Sequence, residues 1–392
     1  MTYLLPSQLP ISIFLYAALE NPIMHSSTVL PLHPGRAPKW LFGRMVRLSA
    51  AISEVIIDEF GPDEMLRRLC DKDWFQALSC AIGYDWHSSG TTTVTMGALK
   101  EGLSGNTDIF IAGGKGKAGL KTPDDITSGT DRLSISSSAD EFKDLSRLAA
   151  KVDSNLVYDR IGIYQHSFIF TKNRKWGVVQ QAMEPESKMA IRFQWFSSNV
   201  DMSDLTTEPH TNILSEMHRS TMDLTYAENL WAKSSSIDLV KDPRSISEAL
   251  KDLDSRQTTL AGSRSLSSVS SSYPSRHWIS SSDISKQGWE AIRRAGELEP
   301  DSFSDLLLVK GMGRSTVRSL AFVSSLIYGR DLAYRDPVAY SYNVGGKDGI
   351  PFPVDPKAYD DVIDEMRHII DGAHMGNDEK YKALKRLATV MN

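Results

Sequence analysis

The sequence predicts an α+β protein, in which a mixed N-terminal domain with an antiparallel hairpin layer precedes a helical C-terminal domain. Two patterns predict this class. Apolar residues recur every three or four positions along several segments, which is typical of amphipathic helices. Between residues 161 and 196, polar and apolar residues alternate and aromatics are frequent, which is typical of strands. A serine-rich stretch lies between the two parts.

The N-terminal domain is expected to span residues 24–260 and to begin with helices. Lys39 to Phe60 carries its apolar side chains at helical spacing. Gly61-Pro62 ends this helix, and Asp63 can cap the next one. Further helices are expected at Glu64–Cys70, Asp73–Ile82, Thr92–Glu101 and Glu141–Val152.

Strands are expected at Asp108–Ala112, in a hairpin of Ile161–Thr171 with Lys175–Met183, and at Ala190–Phe196. The two hairpin strands are separated by three residues, so they should pair antiparallel. Thr127 to Ala139 is rich in serine and is expected to be a loop.

Residues 261–282 are expected to be a linker, because residues 263–282 alone contain 11 serines. Segments of this composition cannot bury a core. Residues 283–392 form the expected helical domain, with helical periodicity everywhere except Asp331–Pro356.

The 392 residues include 44 Lys+Arg and 49 Asp+Glu, so the formal charge is −5. This argues against a basic coat over the whole surface but not against local basic segments. Two cysteines cannot staple a chain of this length, which favours a reducing cytoplasm. No apolar run of ~20 residues is present, so we expect no membrane span. Residues 1–23, interrupted by prolines, are interpreted as an extension.

The clearest chemical signal is Lys310-Gly311-Met312-Gly313, between two predicted helices of Phe303 to Gly329. Glycine allows a sharp turn and a close approach to a ligand. The N–H groups that begin the second helix suit a phosphate. The segment resembles the helix-hairpin-helix motif of DNA repair proteins, whose hairpins hold DNA phosphates without reading sequence. An ordinary glycine-capped turn is the alternative. The expected DNA-binding residues are Lys310, Gly311, Met312, Gly313, Arg314, Ser315 and Arg318.

A second basic segment, Gly113-Gly114-Lys115-Gly116-Lys117, follows a predicted strand. Glycines and lysines after a strand can hold a phosphate through backbone N–H groups and positive charge. It lacks the Gly-Lys-Ser/Thr of a P-loop. Lys115 and Lys117 are therefore candidate DNA contacts, and a flexible surface loop is the alternative.

The helix-hairpin-helix resemblance extends to DNA glycosylases, in which an aspartate after the hairpin serves catalysis. Asp336 and Asp355 are the two candidates here. Asp336 could instead be a turn residue before Pro337, and Asp355 a helix cap. Where some glycosylases carry a nucleophilic lysine, this chain has Ser315, which argues against lyase chemistry at that position.

A metal-dependent nuclease would need His, Asp or Glu side chains that come together in the fold. His87, Asp153 and His166 are the catalytic candidates, with Asp159 and His210 as further members. Mg²⁺ or Mn²⁺ would be the cofactor. None of these residues has the spacing of a known metal motif, so we assign no metal ligand. His166 could equally be a half-buried strand residue.

Several stretches together resemble the family known as domain of unknown function 763, found chiefly in archaea and in some thermophilic bacteria. The resemblance covers about residues 30–390, and the sequence departs from it at Pro34, where glycine is usual, and at Gln194, where histidine is expected. The matching stretches include Leu32–Leu41, Asp85–Gly90, Ala112–Lys117, Lys151-Val152-Asp153 and Gly345–Pro351.

The function expected from the sequence is DNA binding without sequence preference, in DNA repair or processing. The alternative is a DNA-modifying enzyme, either a metal-dependent nuclease or a glycosylase of the helix-hairpin-helix type. A third interpretation is a scaffold whose hairpin packs against a protein partner.

Overall fold

A computed structural model describes residues 39–83, 90–158, 161–184, 189–215, 219–251, 284–338, 364, 366–373 and 376–390. It confirms the α+β class. A single five-stranded antiparallel sheet runs in the order β1-β2-β3-β4-β5. Its strands are β1 Ile109–Lys115, β2 Gly162–Thr171, β3 Trp176–Met183, β4 Ala190–Phe196 and β5 Asn212–Ser215.

Helices surround this sheet. Residues 243–251 and 366–372 are also helical. The named helices are α1 Lys39–Phe60, α2 Pro62–Leu69, α3 Lys72–Ala81, α4 Gly90–Gly102, α5 Lys117–Leu120, α6 Thr122–Arg132, α7 Ala139–Val152, α8 Leu230–Lys241, α9 Lys286–Leu298, α10 Phe303–Leu308, α11 Arg314–Tyr328 and α12 Asn377–Val390. One π-helical turn, Asp153–Val157, follows α7 directly.

Helices cover both faces of the sheet. Successive side chains of a strand point to opposite faces, so neighbouring residues belong to different cores. On one face, Ile169 and Val179 pack against helices α1 to α4. On the other, Phe168 and Val178 belong to the core formed with α6, α7 and helices α8 to α11. Two buried cores therefore share one sheet.

The C-terminal part of the chain contributes to both of these cores. Leu306 and Leu320 belong to the core that contains α7. Ile370 and Ala383 belong to the opposite core, beside α1 and α3. Residues on either side of the serine-rich stretch are thus packed together. The division into domains stays a prediction, and the expected linker lies outside the described residues.

The expected loop at Thr127 to Ala139 is wrong. Helix α6 continues through it to Arg132, a 3-10 turn follows at Ser136–Ser138, and α7 begins at Ala139. Pro123 and acidic residues stand in the first turn of α6, which favours a helix start. Gly129 lies against the rings of Phe110 and Phe170, where a Cβ would come within 2.5 Å of Phe110. The glycine at position 129 therefore reflects close helix-to-sheet packing.

Strand β1 extends further than the sequence predicts and includes Gly113 and Gly114. Gly113 has a φ of +87° and pairs beside β2, where a Cβ would come within 2.3 Å of the His166 carbonyl oxygen. A side chain cannot fit there. These glycines therefore serve strand pairing, and only Gly116 begins the turn into α5.

Candidate functional site

The segment between α10 and α11, Val309–Gly313, forms a tight turn that we call the glycine turn. Helix α10 begins with a capping box of Ser302 and Asp305. Gly311 has a φ of +92°, which favours glycine. The Met312 N–H donates to the Val309 carbonyl at 3.0 Å. Gly313 then begins α11 without any side-chain cap.

Three cationic side chains from other helices donate to the backbone carbonyls around this turn. Lys151 Nζ contacts the carbonyls of Val309 at 3.3 Å and Met312 at 3.2 Å, and also that of Leu307. Arg147 donates to the Leu308 carbonyl, and Arg294 to that of Lys310. In the part of the chain that the structure describes, none of the three is paired with a carboxylate.

These contacts concentrate positive charge beneath the glycine turn. The three N–H donors of Lys151 are all taken up by carbonyls. Burial, together with the nearby Arg147 charge, lowers the pKa of Lys151 to about 8. Its contacts with carbonyl dipoles favour the charged form. The side chains of Lys310 and Ser315 are exposed on the outer side of the turn.

Two of the arginines predicted to bind phosphate face the protein instead. The buried Arg318 guanidinium donates to the Met222 carbonyl at 2.7 Å. Arg314 donates through Nε to the Ser154 carbonyl at 2.7 Å, and also to the Ile161 carbonyl. Met312 is buried as well. In this structure Arg314 and Arg318 attach α11 to the rest of the protein.

The second basic segment and Arg314, the first residue of α11, both contact the backbone near the start of β2. Arg314 binds the carbonyl of Ile161, the residue before β2. Three residues further, the Tyr164 carbonyl accepts the Gly116 N–H at 2.8 Å. Lys115 Nζ lies 5.9 Å from the centre of the Tyr164 ring. Three residues of strand span about 10 Å, so the backbone contacts of Arg314 and Gly116 lie about 10 Å apart.

A chain of hydrogen bonds lies beneath this region, between the sheet and α7. The Ser146 hydroxyl lies 2.8 Å from His166 Nε2, and His166 Nδ1 lies 2.8 Å from Gln180 Oε1. Burial lowers the pKa of His166, which favours the neutral ring. The amide oxygen of Gln180 can only accept, so Nδ1 carries the proton and Nε2 accepts from Ser146.

This series of hydrogen bonds ends at the fully buried carboxylate of Asp153, in the π-helical turn. Asp153 Oδ2 accepts from the Gln180 amide and from Trp195 Nε1 at 3.2 Å. Its Oδ1 lies 2.5 Å from His210 Nε2. We call these residues the buried network: Ser146, His166, Gln180, Asp153, Trp195 and His210. The structure therefore brings together the catalytic candidates Asp153 and His166 through Gln180.

The chemistry open to this network centres on His210. A carboxylate that accepts from one ring nitrogen orients the imidazole, and the other nitrogen can then take a proton. His210 Nδ1 has no hydrogen bond to the described residues. The His166 ring has both nitrogens engaged and serves as a link. Gln181 points to the opposite face of the sheet and takes no part.

The remaining candidates lie elsewhere. Asp336 is exposed, and its Oδ1 accepts from the Val338 N–H at 3.0 Å, as expected of a turn residue beside Pro337. His87, Asp159 and Asp355 lie outside the described residues. Within the described residues, no group of three or more His, Cys, Asp or Glu side chains could hold a metal ion. There, too, no helix has the length and apolar character needed to cross a membrane.

Comparison with protein families gives one match. The profile described as "Protein of unknown function (DUF763)" matches residues 26–354. The chain belongs to this family. No curated protein and no solved structure matches it. The resemblance inferred from the sequence is confirmed, and it assigns no activity to this DUF763 protein.

The structure gives a physical role to one stretch of this DUF763 protein that resembles the family. In Lys151-Val152-Asp153, the lysine holds the glycine turn and the aspartate holds the buried network. Gln194, where histidine was expected, donates to the Leu69 carbonyl at 3.0 Å on the face opposite Gln180. Pro34 lies outside the described residues.

Sequence reasoning missed several residues of this site. Arg147, Lys151 and Arg294 reach the glycine turn from α7 and α9, and Trp195 reaches Asp153 from β4. The run Lys151-Val152-Asp153 was the one signal that could have indicated part of this arrangement.

Proposed function

We propose that this DUF763 protein binds DNA through its phosphates, without reading base sequence, at a helix-hairpin-helix formed by α10, the glycine turn and α11. DNA repair or processing is the corresponding role. One observation carries the proposal. Arg147, Lys151 and Arg294 place three positive charges on carbonyls of the end of α10 and of the turn, with no carboxylate of the described residues against them.

Helix C-termini attract cations, so the carbonyls at the end of α10 explain part of this arrangement. These end-of-helix carbonyls do not explain why so many carbonyls are contacted. Five carbonyls, from Leu307 to Met312, receive the three side chains. The uncapped start of α11 directs N–H groups outward beside the exposed Lys310. Donors and uncompensated charge together favour an anionic ligand.

A polyanion fits better than a small anion because there are two basic segments. Arg314, the first residue of α11, and Gly116, between Lys115 and Lys117, contact backbone carbonyls about 10 Å apart, which corresponds to about three nucleotides along one strand of duplex DNA. A single phosphate could use only one of the two segments. A nucleic-acid backbone can use both.

The test is DNA binding measured by fluorescence anisotropy between 50 and 200 mM salt, for several unrelated duplexes. We expect affinity to fall steeply with salt. Lys310→Glu changes the local charge by two units and should weaken binding about tenfold for every sequence, since only the phosphate backbone is contacted. The Lys310 side chain makes no hydrogen bond or ion pair with the described residues, where only its backbone carbonyl accepts, so the variant should remain folded.

The matched control is Lys382→Glu, which makes the same charge change on the exposed face of α12. It should bind like the unaltered protein. Equal affinity of Lys310→Glu and Lys382→Glu would remove the proposal. Specific capture of a protein by the glycine turn, without DNA binding, would support the scaffold interpretation instead.

A hydrolytic activity on DNA is the second candidate function, favoured by the Asp153–His210 pair at 2.5 Å. His210 would take a proton from water through Nδ1 while Asp153 stabilises the charged ring. The test is product formation from damaged, branched and single-stranded DNA, with and without Mg²⁺ or Mn²⁺. His210→Gln should lose product formation and retain DNA affinity. No product under any of these conditions would remove this candidate.

A further inference from the structure

The most exposed large apolar side chain of the described residues stands among lysines. Leu120, the last residue of α5, is 82% exposed. The side chains of Lys115, Lys117 and Lys121 lie nearby in sequence and are also exposed. Residues 109–122 contain no acidic residue. A single exposed leucine needs no explanation in general. This one lies among exposed lysines, and we call residues 115–121 the basic projection.

Hydrogen bonds hold this projection in place. The Gly119 N–H donates to the Gly116 carbonyl at 3.0 Å, and the Lys121 N–H to that of Ala118 at 3.1 Å. The Thr122 hydroxyl donates to the Gly119 carbonyl at 2.6 Å. The Gly116 N–H donates to Tyr164, which ties the start of α5 to β2. The fold thus holds Leu120 outward on a defined support.

Side chains of α4 and α6 fix the end of β1 that precedes the basic projection. Asp125 accepts from the Gly113 N–H at 2.9 Å and from Lys100 Nζ at 2.6 Å. Lys100 also donates to the Gly113 carbonyl at 2.6 Å. This closed set of bonds fixes the end of β1 just before the projection. The contacts are internal and leave Leu120 uncovered.

A partner for this projection must offer an apolar slot with negative charge around it. Stacked bases between two phosphate strands have that chemistry, and proteins that distort DNA insert leucine and similar side chains between base steps. The surface of an anionic membrane has similar chemistry. Gly116 and Arg314, the first residue of α11, both contact the backbone near the start of β2, which favours the nucleic acid.

We propose that Leu120 is a wedge that enters the base stack where the duplex is already interrupted, while Lys115, Lys117 and Lys121 hold the flanking phosphates. The inference rests on the proposed function and names its substrate class, which is duplex DNA with a gap, mismatch or missing base. At such a site the bases are partly unstacked, so insertion of the side chain costs less than in an intact duplex.

The experiment compares a duplex that has a one-nucleotide gap with an intact duplex of the same sequence. A 2-aminopurine beside the gap reports unstacking by increased fluorescence. We expect the unaltered protein to bind the gapped duplex about tenfold more tightly, because part of the unstacking cost is absent there. Leu120→Ser should reduce this preference to within twofold and abolish the fluorescence increase, with affinity for the intact duplex retained.

The control is Met202→Ser, which alters another exposed apolar residue in a segment that contains Asp201 and Asp204. It should keep the preference for the gap. Lys310→Glu should weaken binding to both duplexes and also keep the preference. Circular dichroism and thermal unfolding check that each variant is folded.

The outcomes separate the two proposals. If neither duplex is bound, the proposed function fails and the wedge fails with it. If both are bound and Leu120→Ser keeps the preference, only the wedge is overturned. Binding to phosphatidylserine vesicles that Leu120→Ser removes, with DNA binding unchanged, would assign Leu120 to a lipid surface and also overturn it.

Discussion

The glycine turn and the buried network are both polar, and both adjoin the end of α7, yet they are organised in opposite ways. At the turn, cations meet carbonyl oxygens, and their positive charge is left without a carboxylate of the described residues. In the network, donors from Gln180, Trp195 and His210 converge on the one carboxylate of Asp153. The positive charge at the turn supports the proposed binding of an anion, whereas the network supplies donors to a buried carboxylate inside the protein and stabilises the fold.

The two regions are joined through three consecutive residues. Lys151 reaches the turn, Val152 is buried in the core, and Asp153 reaches the network. A π-helical turn begins at Asp153, and such turns are frequent at functional sites. We therefore expect substitutions in the buried network to reduce mainly the stability of the protein, and substitutions in the glycine turn to reduce mainly its DNA affinity.

The largest expected effect is on stability, from Asp153→Ala. The change leaves the donors of Gln180, Trp195 and His210 without their acceptor inside the protein. We expect the free energy of unfolding to fall by roughly 3–5 kcal/mol, measured by urea denaturation.

Asp140→Ala is the matched control, because this aspartate is 96% exposed and pairs only with Lys143 among the described residues. Its effect should lie within about 0.5 kcal/mol. If Asp153→Ala lowers the free energy of unfolding by less than about 1 kcal/mol, the buried network does not stabilise the site.

A smaller effect is expected from Gly311→Ala in the glycine turn. The φ of +92° disfavours a side chain, and the new Cβ would lie 3.3 Å from that of Ala291. We expect a loss of about 1–2 kcal/mol in unfolding free energy. DNA affinity should fall as well, because the turn must shift relative to its bound cations. Urea denaturation and anisotropy measure the two effects.

Gly105→Ala is the control for this change, since its Cβ would meet nothing within 4 Å. It should alter neither quantity. If Gly311→Ala loses stability but keeps full DNA affinity, the turn would be a structural element and not the binding element.

The smallest effect is a pH dependence of binding. The pKa of Lys151 is about 8, so its charge is present at pH 7 and is mostly lost at pH 9. A neutral amine attracts phosphate less, so DNA affinity should decrease as pH rises through 8, by about fivefold for the loss of ~1 kcal/mol of attraction. Anisotropy at constant salt measures it.

Lys151→Met should bind DNA more weakly at pH 7 and show little change up to pH 9. If the unaltered protein and this variant share the same pH profile, the charge of Lys151 does not contribute to binding.

Local features of the fold could be predicted from the sequence, because they depend on residues close together in the chain. The hairpin at 161–183, helix α4 and the turn at Gly311 are of this kind. Helix α6 was missed because its serines and threonines bond to carbonyls within the helix and Gly129 packs against aromatic rings, which composition alone does not reveal.

The site could be predicted only in part, because its decisive contacts join distant residues. Lys151 and Met312 are separated by 161 positions, and Asp153 and His210 by 57. Arg318 has helical spacing with Arg314, and nothing local indicates that it turns toward Met222. The glycines and lysines could be identified in the sequence, whereas tertiary packing determines where the neighbouring side chains point.

The way in which the C-terminal part covers both faces of the sheet has a consequence for biosynthesis. Leu320 contributes to one core and Ala383 to the other, so neither core is complete until residues beyond the serine-rich stretch have been translated. Proteins commonly fold one domain after another as they leave the ribosome. Here the N-terminal helices can cover part of each sheet face, and the rest of both cores stays uncovered until these later residues are made. Chaperones would therefore meet this protein during its synthesis, and early termination would leave an aggregation-prone fragment.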